Sequence, residues 1–218
     1  MDLRRPDSSS APPTKESLEN SNLNDERLRS DPAFDDVYDE RIRALSGQHW
    51  TPVAIASRAA RLLTLAGATR ILDVGSGAGK FCIVGALSTR AELVGVERRG
   101  DLVAVARAAA LRMGATGATF IHANVEDLSF DGFDGIYLYN PFFEHVSRKL
   151  PLIDRAVDRS GRAYRRVVRA IEDKLRAMPA PVVVVTYHGF GGQIPRELGY
   201  VGSEPAGNDR LELWIKRR

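Results

Sequence analysis

Residues 70–80, R-I-L-D-V-G-S-G-A-G-K, constrain this chain more than any other stretch. A short aliphatic run ends at Asp73, glycines alternate at Gly75, Gly77 and Gly79, and the apolar segment 81–87 follows. That order predicts a strand, a tight turn and the start of a helix. Glycine in such a turn can take positive φ and lets a ligand approach the backbone without a Cβ in the way. The loop therefore reads as a ligand loop at the end of a strand.

Spacing separates the nucleotide-type loops that this turn could be. A P-loop requires G-x-x-x-x-G-K followed by Ser or Thr. Here Phe81 follows Lys80, and Val74 stands where the first glycine belongs. A dinucleotide fingerprint, G-x-G-x-x-G, begun at Gly75 and Gly77 would place its third glycine at Lys80. Both patterns fail. The order that fits is acid-x-Gly-x-Gly-x-Gly after a strand, which resembles the first motif of the class I S-adenosylmethionine-dependent methyltransferases. The resemblance implies that Asp73, Gly75, Ser76, Gly77 and Gly79 hold S-adenosylmethionine.

At 218 residues, with 44% hydrophobic and 27% charged residues, the chain suits one domain with a sizeable core, or such a domain plus a tail. A net charge of +3 permits an acidic partner without requiring one. The single cysteine, Cys82, excludes an internal disulfide and a cysteine-rich zinc site. His49, His122, His145 and His188 show no ligand spacing, so no metal is expected. The N-terminus lacks the apolar segment of a signal peptide, and 182–185, the longest β-branched run, is too short to span a bilayer. A cytoplasmic, reducing location is expected.

Residues 1–30 are rich in Ser, Pro, Asn and charge, with little apolar area to offset the entropy of ordering, and read as a disordered tail. The domain then covers 31–218, beginning with a helical cap. Phe34, Val37, Tyr38, Ile42 and Leu45 recur at helical spacing as far as Gly47. Next, Thr51 and Pro52 open an apolar-striped helix over 53–65 that Gly67 can stop. Thr51 reads equally as an N-cap and, through the methyltransferase resemblance, as part of a segment covering the methionine end of the cofactor. Cys82, within the helix after the glycine loop, reads as a buried structural thiol.

Further strands are predicted over 91–97, 118–125, 133–140 and 181–188, alternating with helices and several of them apolar on both faces. That pattern calls for an α/β three-layer sandwich with a mostly parallel sheet. Two final strands, 197–201 and 211–217, joined through G-S-E-P-A-G-N-D, have no helix between them and predict an antiparallel hairpin. A terminal hairpin resembles the seven-strand methyltransferase sheet.

Open α/β sheets bind ligands at the C-terminal ends of their strands, so strand ends are where contacts are sought. Glu97 ends the second strand, where a carboxylate can accept from both ribose hydroxyls. Through the resemblance, Asn124 stands where an Asp commonly binds the adenine amino group, with Val125 as the small apolar neighbour and Asp127 as a rival to Asn124. The fourth strand runs into Y-N-P-F-F-E-H, which resembles the Asn/Asp-Pro-Pro-aromatic motif with Phe142 in place of the second proline. It implies that Asn140 and Pro141 accept hydrogen bonds from a target amine while Phe142 or Phe143 forms a wall. The missing second proline is closer to lysine methyltransferases than to adenine or glutamine methyltransferases. Glu144, His145 and His188 are the candidate bases. Residues 150–178 carry Arg155, Arg159, Arg162, Arg166 and Arg169 on one helix face, either a solvated side or an anionic-substrate surface.

The expected activity is methyl transfer from S-adenosylmethionine to an acceptor nitrogen, on a protein lysine or a small-molecule amine. A nucleic-acid base methyltransferase, a non-catalytic S-adenosylmethionine-binding module and a nicotinamide-dependent oxidoreductase are the alternatives. No membrane partner is expected, and the oligomeric state is open.

Overall fold

A sheet whose central strands are buried on both faces builds the molecule in three layers. In a computed structural model, residues 25–140 and 161–217 are described. Three helices come first: α1 (Asp31–Asp35), α2 (Glu40–His49) and α3 (Val53–Leu65). The β/α units are β1 (Arg70–Val74), α4 (Lys80–Ser88), β2 (Glu92–Glu97), α5 (Gly100–Met113), β3 (Ala118–His122), β4 (Gly135–Tyr139), α6 (Gly161–Ala177) and β5 (Val182–Tyr187). A hairpin of β6 (Gly199–Ala206) and β7 (Asp209–Lys216) closes the chain.

The seven strands lie in the order β3-β2-β1-β4-β5-β7-β6. Neighbours from β3 through β5 are parallel, while β7 runs antiparallel between β5 and β6. Side chains alternate between faces with period two. Ile71, Leu93, Phe120, Tyr137 and Val185 join α3, α4 and α5 in one core. Leu72, Val74, Val96, Ile136 and Val184 join Val168, Ile171 and Leu175 of α6 in the other. The strand order reverses between β1 and β4, so a crevice forms beyond the carboxyl ends of those strands.

The apolar periodicity of residues 34–45 is carried by two helices, because the Asp39 side chain accepts from the Ile42 N–H at 2.9 Å and starts α2. That helix continues past Gly47 to His49; an interior glycine costs only about 1 kcal/mol, which the packing of Ile42 and Trp50 outweighs. Thr51 does not cap α3. Its N-cap is Pro52, and the Val53 N–H is taken instead by Asp31 Oδ1 at 3.0 Å. Strand β3 stops at His122, leaving Asn124 and Val125 in the following turn.

The hairpin is tighter than the sequence pattern implied. Only Gly207 and Asn208 join β6 to β7, with Gly207 at φ 56°, the glycine-first arrangement of a type II′ turn. Pro205 thus lies inside β6, which is tolerated because β6 is an edge strand. Helix α6 buries Val168, Ile171 and Leu175 and exposes Arg162, Arg165, Arg166 and Arg169; Arg155 and Arg159 lie outside the described residues. Among the described residues no helix is long and apolar enough to cross a membrane.

Candidate functional site

The glycine loop is stitched to β2, with the N–H groups of Gly75 and Ser76 both donating to Val96 O, at 2.9 and 3.0 Å. All three glycines have positive φ, but they face different surroundings. Gly75 is exposed. A Cβ on Gly77 would fall within 2.6 Å of Trp50 Cδ1, and one on Gly79 within 2.6 Å of the Phe120 ring. The second and third glycines therefore admit the protein's own aromatic rings, and the first remains for a ligand.

Trp50 belongs to the N-terminal cap, which is fastened to the loop by groups that the sequence reading did not single out. Lys80 is 1% exposed, and its Nζ lies 2.9 Å from Asp35 Oδ1, 2.9 Å from Ser46 Oγ and 2.5 Å from Asp31 Oδ1. Ser46 Oγ also donates to Asp35 at 2.8 Å, and Tyr38 donates to Ala78 O at 3.0 Å. A lysine opening an apolar helix was the available signal, because a buried ammonium needs partners. Nothing local named Asp31 and Asp35 as those partners.

Glu97 is buried at the end of β2, not solvated there. Oε2 accepts from the Gly77 N–H at 3.1 Å, while Oε1 accepts from both the Arg99 N–H and Arg99 Nε at 2.9 Å. Arg99 Nη2 adds a longer bond of 3.3 Å to Oε2. A carboxylate offers about four acceptor positions, so the present contacts use its capacity. Alongside, Ala123 N–H donates to Glu97 O at 3.1 Å, which places the turn carrying exposed Asn124 and half-buried Val125 beside the end of β2. Asp127 also lies in that turn, and exposed His122 contacts Arg98 O.

Asp73 points from β1 into the helical layer, where Cys82 Sγ donates to Oδ2 at 3.5 Å. Cys82 is buried as expected, but it has this acidic neighbour. Burial pushes the Asp73 carboxyl up to about 7; the thiol hydrogen bond opposes this and the Glu97 charge adds to it. Burial also pushes the Cys82 thiol well up, so it stays protonated and unreactive. The folded-state value lies above the unfolded value of about 3.9, so the folded protein binds the extra proton between them. The stabilisation is complete below about pH 4 and is lost as pH rises through about 7. Urea midpoints at acidic and neutral pH are expected to fall with rising pH through this window, and Asp73→Asn is expected to flatten that fall.

At the other side of the crevice, β4 and β5 are each followed by a non-glycine residue with positive φ, Asn140 at 35° and His188 at 58°. Asn140 N–H donates to Gly189 O at 2.7 Å, tying the two strand ends together. Asn and His are the residue types that tolerate this region best, and such strain gathers at functional sites. Pro141, Phe142 and Phe143 lie outside the described residues, as do Glu144 and His145. Thr51 approaches from the cap, its Oγ1 hydrogen-bonded at 3.0 Å to the buried hydroxyl of Tyr137, whose ring stacks on Phe81 at 3.8 Å. The crevice therefore gathers Gly75 and Ser76, Glu97, Asn124 and Asn140 at the ends of β1, β2, β3 and β4. Ser76 Oγ is buried against Gly95 of β2 with no hydrogen-bond partner among the described residues. Among the described residues no group of three His, Cys, Asp or Glu side chains is arranged to hold a metal.

This sheet order, with its terminal hairpin and strand-end crevice, defines a class I, Rossmann-like methyltransferase fold. A family model described as a methyltransferase domain matches residues 65–174, half of the chain, and the chain belongs to that family of S-adenosylmethionine-dependent enzymes. No curated protein matches it in sequence. Among solved structures, an RNA methyltransferase from Salinibacter ruber in complex with S-adenosyl-L-homocysteine is similar at 19% identity, covering 77% of this chain and 93% of its own, with a TM-score of 0.54. A variant of MtNAS in complex with S-adenosylmethionine is 16% identical over 92% of this chain and 72% of its own, with a TM-score of 0.53. TrmN from Thermus thermophilus is 18% identical over 76% of this chain and 49% of its own, with a TM-score of 0.52. At these identities the likeness concerns the fold.

Proposed function

We propose that this methyltransferase transfers the methyl group of S-adenosylmethionine to a nitrogen acceptor, a protein lysine or a small-molecule amine. The observation that supports this reading is the strand-by-strand series from Gly75 and Ser76 through Glu97 and Asn124 to Asn140 along one edge of the sheet. When bound, the donor supplies a methyl group already activated by its sulfonium. Gly75 offers exposed backbone and Ser76 a hydroxyl that has no hydrogen-bond partner among the described residues. Glu97 keeps its bond to Gly77 and exchanges those to Arg99 for the ribose hydroxyls, because its acceptor positions are otherwise filled.

Asn124, through its amide oxygen, accepts from the adenine amino group beside Val125. Asn140 and the Pro141 carbonyl accept from the incoming amine and orient its lone pair, with Phe142 or Phe143 as the wall. Alignment is the larger part of the rate, since well-oriented reactants gain effective molarities of roughly 10⁵–10⁸ M. A second reading, transfer to a nucleic-acid base, is favoured by the exposed Arg162, Arg165 and Arg169 of α6.

Calorimetry with S-adenosylmethionine and S-adenosylhomocysteine is expected to show binding of both, and binding of neither would overturn the donor assignment. Transfer of tritiated methyl into fractionated cell extract is expected to label protein or small amines. Label confined to RNA or DNA would replace the lysine or small-amine reading with the nucleic-acid one.

A further inference from the structure

One cluster at the crevice takes no part in the contacts assigned above. His188 follows β5 immediately, and its Nδ1 lies 2.5 Å from Asp209 Oδ2. Asp209 opens β7, and antiparallel pairing of β7 with β5 sets Leu211 opposite Tyr187, so the hairpin turn returns to the end of β5. The turn is held there. Tyr187 donates to Asn208 Oδ1 at 3.0 Å, and Arg58 of α3 reaches Glu204 and Pro205 O, both at 3.0 Å.

The opposite neighbour is β4. Tyr139 pairs with Tyr187 in the sheet, and its ring lies 5.3 Å from the Tyr187 ring and 5.8 Å from the His188 ring. Asn140 and His188 thus follow adjacent strands, joined by the bond from Asn140 N–H to Gly189 O. Holding His188 at a φ of 58° is strained for a residue with a Cβ, and its surroundings must offset that strain. A carboxylate on Nδ1 selects the tautomer with the proton there, leaving the Nε2 lone pair available. Among the described residues nothing hydrogen-bonds to Nε2, and the side chain is 29% exposed.

We infer that His188 is the base that removes the proton from the acceptor nitrogen, with Asp209 as its positioning residue. The inference rests on the nitrogen-acceptor reading. An alkylammonium with a pKa of about 10.4 has no lone pair to offer at neutral pH. Its N–H bond breaks, the proton passes to His188 Nε2, and the electron pair left on nitrogen forms the new N–C bond. The pair of the breaking C–S bond stays on sulfur, and the imidazolium later loses its proton to water. A general base of this kind contributes about 10²–10⁴-fold. Among the described residues the titratable groups facing His188 are Asp209 on β7, Tyr139 on β4 and Tyr187 on β5; desolvation raises both phenols, so they stay uncharged.

The test needs no turnover. Sinefungin carries an ammonium on the acceptor side, where S-adenosylhomocysteine has none, so the ratio of their affinities reads the charge of groups facing the acceptor. Calorimetry of the full-length protein runs from about pH 5 to about pH 8.5. In the wild type, sinefungin is expected to lose about tenfold relative to S-adenosylhomocysteine as His188 becomes charged at low pH. His188→Gln is expected to make the ratio flat while still binding S-adenosylhomocysteine, and Asp209→Asn to change the pH dependence of the ratio. A flat wild-type ratio with both ligands bound, or an unchanged pH dependence in His188→Gln, would overturn the assignment of the base. An unchanged pH dependence in Asp209→Asn would overturn the positioning role alone. Failure of the wild type to bind either ligand would instead overturn the donor reading, and this inference with it.

Discussion

Lys80→Ala is expected to destabilise the protein by about 3–5 kcal/mol, measured as a shift in urea midpoint, because it leaves buried carboxylate without its cation. Lys80 and Asp35 are both buried, and Ser46 is hydrogen-bonded to each of them. The ammonium also lies 5.4 Å from the centre of the Phe34 ring. The lost contacts join the N-terminal cap to the helix after the glycine loop, so limited proteolysis is expected to begin within residues 31–49. Replacing Lys80, Asp35 and Ser46 together by apolar residues of similar size is expected to cost much less than the single change, since only the partly exposed Asp31 carboxylate then loses its cation. A Lys80→Ala protein within about 1 kcal/mol of wild type would show that the ion pairs do not hold the cap.

Gly77→Ala is expected to cost about 2–5 kcal/mol and to weaken S-adenosylhomocysteine binding by more than tenfold. Two effects add. An L-residue at φ 55° loses roughly 1–2 kcal/mol, and a Cβ driven into the Trp50 indole adds about 1–3 kcal/mol of overpacking. A Trp50→Ala change in the Gly77→Ala background separates them, because it relieves the overlap and leaves the backbone strain. The double variant is expected to regain part of the overpacking term relative to an additive sum. Ligand affinity is expected to stay low, since the Gly77 N–H that holds Glu97 remains displaced. If the Trp50 change recovers nothing, the indole yields to the new methyl and the glycine is there for φ alone.

The class of fold was legible because its signals are local. Continuous apolar runs in 70–74 and 182–187, the glycine alternation after Asp73 and the helical stripe of 53–65 are each read within one element. The same holds for the acidic end of β2 and the asparagine that follows β4. Element ends were less legible where a partner far along the chain competes. Thr51 is a good cap by type, but Asp31 takes that place and Thr51 turns to Tyr137. The tight hairpin turn was hidden because Pro205 reads as a strand breaker until β6 is known to lie at the sheet edge.

Within the candidate site, the sequence named the strand ends and their order, and these depend only on alternation of β and α segments. It did not name what those residues touch. Gly77 reads as a place for ligand approach, yet Trp50 fills the space its missing side chain leaves. Glu97 reads as a free acceptor, yet Gly77 and Arg99 occupy its oxygens. His188 reads as one scattered histidine among four.

By itself, then, the sequence determined the three-layer α/β sandwich, the glycine loop and the succession of strand-end residues, since helix and strand periods and turn chemistry are properties of neighbours in the chain. Only the tertiary structure decided that Lys80 closes on Asp35, 45 residues away, and that Asp209 meets His188 when β7 folds back along β5. The physical reason is that a buried charge or an imidazole constrains which kind of partner it needs, while sheet order and helix packing alone choose which of many such residues is brought to it.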